Sequence, residues 1–490
     1  MTRVPFGRHC EPAEGRRGNL VVASFMKWRS SVRKMLMRNF GMTNKASNTK
    51  GPERGISRRD FMRVGAAASV FTIVPRHVLG GPGHTPPSEK LNIACIGAGG
   101  QGQRDVSQVA GENIVALCDV DDKQAAETFG LYPKANRYRD FRRMLEREKS
   151  IDAVIVATPD HTHAVAAMMA IKMGKHVYCE KPLTHSVYEA RQLTEEAARA
   201  KVVTQMGIQH HSGRALRLGV EMIRVGVIGD VREVHLWTVR PEVLWVQGVD
   251  RPTDTPAVPS TLDWDLWVGP APYRPYNPAY VPFTWRGWWD FGTGAFGNMG
   301  CHVMDLAFWA LDLGSRKVTI EARTTRFNEE TYPAASLIRY EFAGLGESPP
   351  VVVTWYDGGL LPWRPPELEE GRNLPKHGGV YVGDKGTILV PLGGGPRLLP
   401  ESRMKGFKPP EPTLPRSPGH CQEWLDACKG GPKPLADFDY SGPLTEMVLL
   451  GNVAIRTGKK LTWDGANMKV TNVPEANEFL RREYRQGWSL

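Results

Sequence analysis

The segment Gly97-Ala98-Gly99-Gly100-Gln101-Gly102 constrains this chain more than any other. It ends a short apolar run, Leu91–Gly97, and opens a stretch with helical character. Glycines in a G-x-G-x-x-G pattern between a strand and a helix make a turn that side chains would block. Gly97 permits the tight turn, Gly99 lets backbone approach a bound group, and Gly102 lets the helix pack close on the strand. Asp119 lies 17 residues after Gly102, at the end of the next apolar run, Asn113–Val120. This is the setting of a dinucleotide site. A helix N-terminus offers unpaired N–H groups and about half a positive charge to a pyrophosphate, here beside Gly100 and Gln101. Asp119 can accept from the adenosine ribose hydroxyls, and its charge disfavours a 2′-phosphate. No Arg directly follows it, so NAD is expected over NADP.

The alternation continues. Ile151–Thr158, His176–Cys179 and Val202–Met206 read as further strands, with helices at Ala164–Met173 and Val187–Ala200. Apolar strands alternating with helices imply a parallel sheet covered on both faces. The fold class is α/β: a doubly wound Rossmann domain over 91–212, preceded by a Gly- and Pro-rich linker at 81–90. After residue 212 the strand-like runs Val231–Val239, Val318–Thr325, Ser336–Phe342 and Val351–Tyr356 lie between long Pro- and Trp-rich loops. Residues 213–490 are therefore expected to form an α+β domain on a mainly antiparallel sheet, one face of it open to substrate or to a partner subunit.

The net charge of +11 suggests nucleic acid until it is located: residues 1–64 hold 15 Lys and Arg against four acids, and the remaining 426 residues hold 48 of each sign. The basicity belongs to a leader, residues 1–80, and nothing in the body points to nucleic acid. Ser57-Arg58-Arg59-Asp60-Phe61-Met62 and the apolar stretch Gly65–Val74 resemble a twin-arginine export signal. The expectation is a periplasmic or otherwise exported protein, with the twin-arginine machinery as a partner. The stretch is too short to span a bilayer. Met42 is the more ordinary start, which makes residues 1–41 a candidate gene-start artefact, and no clean cleavage site follows, which leaves retention of the leader as an anchor open. Seven cysteines without a CxxC pair indicate neither a disulfide framework nor a zinc site.

Ala157-Thr158-Pro159-Asp160-His161-Thr162-His163 follows the third strand and Glu180-Lys181-Pro182 the fourth. With the glycine loop, these resemble the glucose–fructose oxidoreductase/inositol dehydrogenase/MocA (Gfo/Idh/MocA) family of NAD(P)-dependent sugar oxidoreductases, from about residue 90 to the C-terminus. The resemblance extends to Trp285–Gly294 and Gly300–Asp305, and the tail from Trp463-Asp464 through Tyr484–Trp488 is similar to the exported bacterial branch of that family. It implies that Lys181 is the acid/base, that Glu180 and Lys181 border the nicotinamide, and that Thr158, Pro159 and His163 frame the ring or its ribose.

The chemistry points the same way. Oxidising an alcohol removes a hydride and a proton, so a base must sit beside the carbinol. Lys181 follows a strand at the carboxyl edge of the sheet, where ligands of such sheets bind, and burial would lower its pKa. His302 is the second proton-transfer candidate. Asn298 lies one helical turn before it, and Asp305 is placed to orient its imidazole. Many relatives carry Asp at the position of Asn298; Asn can hydrogen-bond a hydroxyl but cannot take a proton. His161 is expected to cap a helix, and His210 and His211 end a strand near the same edge, with His210 directed to substrate. From the aromatic segment 264–289, Tyr280 and Trp285 are expected to stack on a sugar face and Arg286 to bind hydroxyls or a carboxylate. The histidine spacing is too irregular for a metal.

The expected function is NAD(P)-dependent oxidation of a sugar, cyclitol or derivative by Lys-assisted hydride transfer. A glycoside hydrolase using tightly bound NAD is the alternative, and a non-catalytic sugar-sensing relative is a third reading. A homodimer or homotetramer is implied by the resemblance.

Overall fold

The computed structural model describes residues 89–490. The leader, with its twin arginine, and most of the linker lie outside the described residues. From Asn92 the chain builds β1 (Asn92–Ile96), α1 (Gln101–Gln108), β2 (Asn113–Cys118), α2 (Asp122–Leu131), β3 (Asn136–Tyr138), α3 (Phe141–Arg147), β4 (Ala153–Val156), α4 (Asp160–Lys172), β5 (His176–Glu180), α5 (Val187–Ala200) and β6 (Thr204–Gly207). The six strands form one sheet in the order β3-β2-β1-β4-β5-β6, every pair parallel. Ala153–Val156 is buried at every position because helices cover both faces. The expected doubly wound domain is present. Its edge strand β3 was not foreseen, since three residues are too few to carry a period.

The second part comprises α6 (Arg214–Arg224), β7 (Val231–Thr238), α7 (Trp264–Val268), α8 (Gly294–Val303), α9 (Asp305–Ala310), β8 (Val318–Thr324), β9 (Ser336–Phe342), β10 (Val351–Tyr356), β11 (His377–Gly383), β12 (Gly386–Pro391), β13 (Arg397–Leu399), α10 (His420–Cys428), α11 (Phe438–Thr457), β14 (Leu461–Asp464) and β15 (Lys469–Val470). Its nine strands run β13-β12-β11-β7-β10-β9-β8-β14-β15, antiparallel except for the β7–β10 pair. Alternate residues of β9 are buried, so one face packs inward. There Tyr340 donates to the Met447 carbonyl of α11 at 2.9 Å.

Two helices late in sequence return to the parallel layer. Trp424 and Leu425 of α10 share a core with Ile93, Ile155 and Tyr178. In α11, Glu446 holds Arg191 of α5 through two hydrogen bonds of 2.7 and 2.8 Å. Among the described residues no helix is long and apolar enough to cross a membrane.

Candidate active site

A cleft of about 740 Å³ runs along the carboxyl ends of the parallel strands, closed on its other side by α8 and the loops around Phe283–Arg286. One end is built by the glycine turn. Gly97 has φ +84° and donates to the Cys118 carbonyl at 2.8 Å. A Cβ on Gly102 would lie 1.8 Å from the Gly97 carbonyl oxygen, so this glycine sets the close approach of α1 to the turn. Gly99 is required for a different reason from the one expected. Its Cβ would lie 2.7 Å from the Gln124 carbonyl oxygen of α2, so the demand comes from a neighbouring helix. Of the four glycines in this turn Gly100 is the one with open space around it, at φ 55° and ψ −109°, a conformation open to glycine alone. It caps α1 without any side-chain partner; of the first-turn N–H groups, that of Gly102 donates to the Gly99 carbonyl at 3.0 Å, and those of Gln101 and Gln103 are left for a ligand. Asp119 accepts from Gly99 N–H and Asp121 N–H, both at 2.9 Å, and burial raises its pKa to about 6. An open Gly100, an uncapped helix and an acceptor at the end of β2 fit a dinucleotide with its phosphates on α1 and its ribose on Asp119.

The far end holds the reactive groups. Lys181, just after β5, donates from Nζ to the Asn298 carbonyl at 3.0 Å. Burial and, next in its lowering causes, the Arg286 charge push its pKa down, against Glu180 and Asp160, which raise it. Arg286 lies on the Phe283 and Trp285 rings, 3.8 and 4.1 Å from their centroids, and burial brings its pKa down to about 10. Its buried Nε has no partner. Asn298 and His302 both face the cleft from α8. The His302 Nδ1 is buried and unpartnered, and burial, with the Lys181 and His210 charges, holds the imidazole far below its ordinary pKa. His210 meets His302 edge-on, 5.7 Å between centroids. Thr158, Pro159, Glu180, Trp285 and Gln101 also line the cleft.

His163 is held between two carbonyl oxygens, Pro182 and Thr158, each at 2.8 Å, so it fixes the Lys181-Pro182 segment against the Thr158 turn. Among the described residues no group of three His, Cys, Asp or Glu side chains is arranged to hold a metal ion.

Three placements differ from expectation. Asp305 does not orient His302; it accepts from His211 Nδ1 at 3.0 Å and from Tyr440 at 2.6 Å, because α8 ends at Val303 and α9 redirects the chain. Tyr280 does not reach substrate. It is buried among Trp264, Trp288 and Phe291 and anchors the aromatic loop. His161 does not cap α4: its ring nitrogens lie 3.1 and 2.9 Å from the Phe291 and Trp267 carbonyls, tying the two parts together.

Two residues were missed. Arg240, two residues beyond β7, donates to the Asn298 side-chain oxygen at 2.8 Å and lines the cleft. Asp160, buried, accepts from Thr293 at 2.6 Å and raises the Lys181 pKa. Its place inside the Ala157–His163 motif was the one signal available; Arg240 had none.

Fold and cleft together define a two-domain nucleotide-binding protein with a lysine-centred site. Residues 91–208 match the oxidoreductase family described as the NAD-binding Rossmann fold of Gfo/Idh/MocA, and residues 239–344 match that family's C-terminal alpha/beta domain. These two stretches of the chain are thus similar to the two domains of the Gfo/Idh/MocA oxidoreductase family. It is similar to a glycosyl hydrolase family 109 protein of Shewanella pealeana, 28% identical over 204 residues, which is 36% of this chain and 44% of that protein. It is also similar to inositol 2-dehydrogenase 3 of Saccharopolyspora erythraea, 31% identical over 158 residues, 31% of this chain and 46% of that protein. The aligned stretch is less than half the length of either relative. Among solved structures, WlbA dehydrogenase of Bordetella pertussis, in complex with NADH and UDP-GlcNAcA, superposes with a TM-score of 0.55 at 17% identity, over 76% of this chain and 99% of that one.

Proposed function

We propose that this protein is an NAD-dependent oxidoreductase of a secondary alcohol on a sugar, cyclitol or derivative. The observation that carries the reading is Lys181: a buried amine biased toward its neutral form, at the junction of the dinucleotide cleft with the wall formed by Asn298 and His302. A bound nicotinamide supplies the hydride acceptor. Lys181 Nζ takes the carbinol proton, and its hydrogen bond to the Asn298 carbonyl aims it across the cleft. Neutral His302 offers a hydrogen bond to a substrate hydroxyl, and Arg240 locks the Asn298 side chain so that the amide cannot rotate away. Arg286, against the Phe283 and Trp285 rings, holds a hydroxyl or carboxylate, and its charge adds to burial in lowering the Lys181 pKa.

A glycoside hydrolase with catalytic, tightly held NAD is the second reading, favoured by the name of the Shewanella relative. There Lys181 serves the same proton transfer within a cycle with no net redox change. Incubation with candidate sugars and their aryl glycosides separates the two. Growth of absorbance at 340 nm in step with substrate oxidation supports the dehydrogenase, and aglycone release without that growth supports the hydrolase. Neither signal from any substrate that binds would leave a sugar sensor. Export by the twin-arginine route and assembly through the exposed face of the second sheet belong to the same proposal.

A further inference from the structure

Residues 482–488 run along the seam between the two parts of the protein, and the side chains of Arg482, Tyr484, Arg485 and Trp488 are held in place. Arg482 donates to Glu189 at 2.9 Å and also reaches the His161 carbonyl. Tyr484 donates to the same Glu189 carboxylate at 2.7 Å. Glu189 is itself fixed as the capping-box residue of α5. Arg485 then crosses to α7, donating from Nε to the Gly269 carbonyl at 3.0 Å, from Nη2 to the Asp265 carbonyl at 2.8 Å and from Nη1 to the Asp265 carboxylate.

A turn closed by Trp488 N–H to the Arg485 carbonyl at 3.1 Å, with Gly487 at φ +87°, swings the indole back over the parallel layer. Trp488 thereby becomes part of the cleft wall, at the end defined by Asp119, Arg139 and Phe141. Its ring lies 6.0 Å from that of Phe141, and the Arg142 guanidinium sits 4.4 Å from the indole centroid. Arg142 is in turn held by Asp140 at 2.9 Å. This is the end of the cleft beyond the ribose acceptor Asp119, where the fold puts the adenine of a dinucleotide.

We propose that residues 482–488 form a strap over the adenosine end of the cleft, with Trp488 stacking on the adenine and Arg485 as its latch. The inference rests on the reading of the cleft as a dinucleotide site. An aromatic plane on a base is the arrangement by which proteins hold bases without reading their edges. Because the strap is anchored on both parts of the protein, the dinucleotide leaves only when the Arg485–Asp265 contact opens, and the cofactor is retained from one turnover to the next.

The test uses the full chain with NAD+, ADP-ribose and nicotinamide mononucleotide as probes, by titration calorimetry. Trp488→Ala weakens NAD+ and ADP-ribose by the same factor, about tenfold or more. It leaves the mononucleotide, which has no adenine, unchanged. Trp488→Phe keeps affinity within about threefold, because a stacking plane remains. Arg485→Ala speeds NAD+ release, followed by chase with excess ADP-ribose, about tenfold. Melting of the unliganded variants checks folding, and if Trp488→Ala melts early the Trp488→Phe and Arg485→Ala results decide. NAD+ and ADP-ribose affinities unchanged in Trp488→Ala overturn the strap while leaving the dinucleotide site standing, as does equal weakening of the mononucleotide. A native protein that takes up no NAD+ overturns both.

Discussion

Replacing Gly102 with alanine tests the glycine turn quantitatively. The new Cβ would stand 1.8 Å from the Gly97 carbonyl oxygen. A carbon and a carbonyl oxygen tolerate about 3.3 Å, so the start of α1 has to retreat by about 1.5 Å. Gly97 cannot yield instead, since its own Cα already faces the Ala157 backbone, 2.7 Å from where a Cβ would stand. A retreat of that size stretches a phosphate hydrogen bond from about 2.9 Å to about 4.4 Å, beyond bonding reach. Hydrogen bonds to charged groups are worth about 1.5–3 kcal/mol each. Loss of one or two therefore costs about 3 kcal/mol, roughly a hundredfold in Kd. The assay is calorimetric titration with NAD+ of Gly102→Ala beside Gly111→Ala, a change at a glycine with open space around it. The control binds as the native chain does. If Gly102→Ala also binds within about threefold of native while remaining folded, close packing of α1 on the turn is not what positions the phosphates.

Lys181→Ala lowers turnover by about 10²–10⁴ with little change in NAD+ affinity, read from steady-state rates and calorimetry. In the oxidative direction the rate rises with pH as Lys181 loses its proton. That limb lies below the ordinary lysine range, since burial and Arg286 both favour the neutral amine. Arg286→Gln removes the repelling charge, lets the ammonium persist to higher pH and shifts the limb in the alkaline direction. Glu423→Ala leaves Arg217, 1% exposed, without its carboxylate partner at 2.6 Å, and thermal or denaturant melts should register a loss of about 3–5 kcal/mol. Arg58→Lys with Arg59→Lys, if the leader is a twin-arginine signal, holds the protein in the cytoplasm, as cell fractionation would record.

The nucleotide-binding half was legible because its signals are local. A buried parallel strand such as Ala153–Val156 is a continuous apolar run, and the glycine turn with Asp119 has a fixed spacing. Lys181, Asn298, His302 and Arg286 could be assembled because each sits in a short motif. What escaped was decided by packing across the chain. His377–Gly383 contains three glycines and shows no alternation, and β15 has two residues, so these strands exist only through their partners. Tyr280 and Trp285 are five residues apart in one aromatic segment and both are buried in its core, and composition cannot say that Trp285 alone of the two also lines the cleft. Asp305 was assigned to His302 by helical spacing, but the break between α8 and α9 handed it to His211. Arg240 is a solitary arginine whose meaning is its contact with Asn298, 58 residues away.

The return of α10 to the first sheet has a bearing on biogenesis. Tyr178 and Ile155 are sealed by Trp424, which is wholly buried, with 5.6 Å between the Tyr178 and Trp424 ring centres. A nascent chain halted anywhere before residue 424 leaves that apolar patch wet, however complete its glycine turn. The ribosome must therefore deliver most of the polypeptide before the earliest-made layer is finished, and an isolated fragment ending near residue 212 should be sticky and short-lived in the cell.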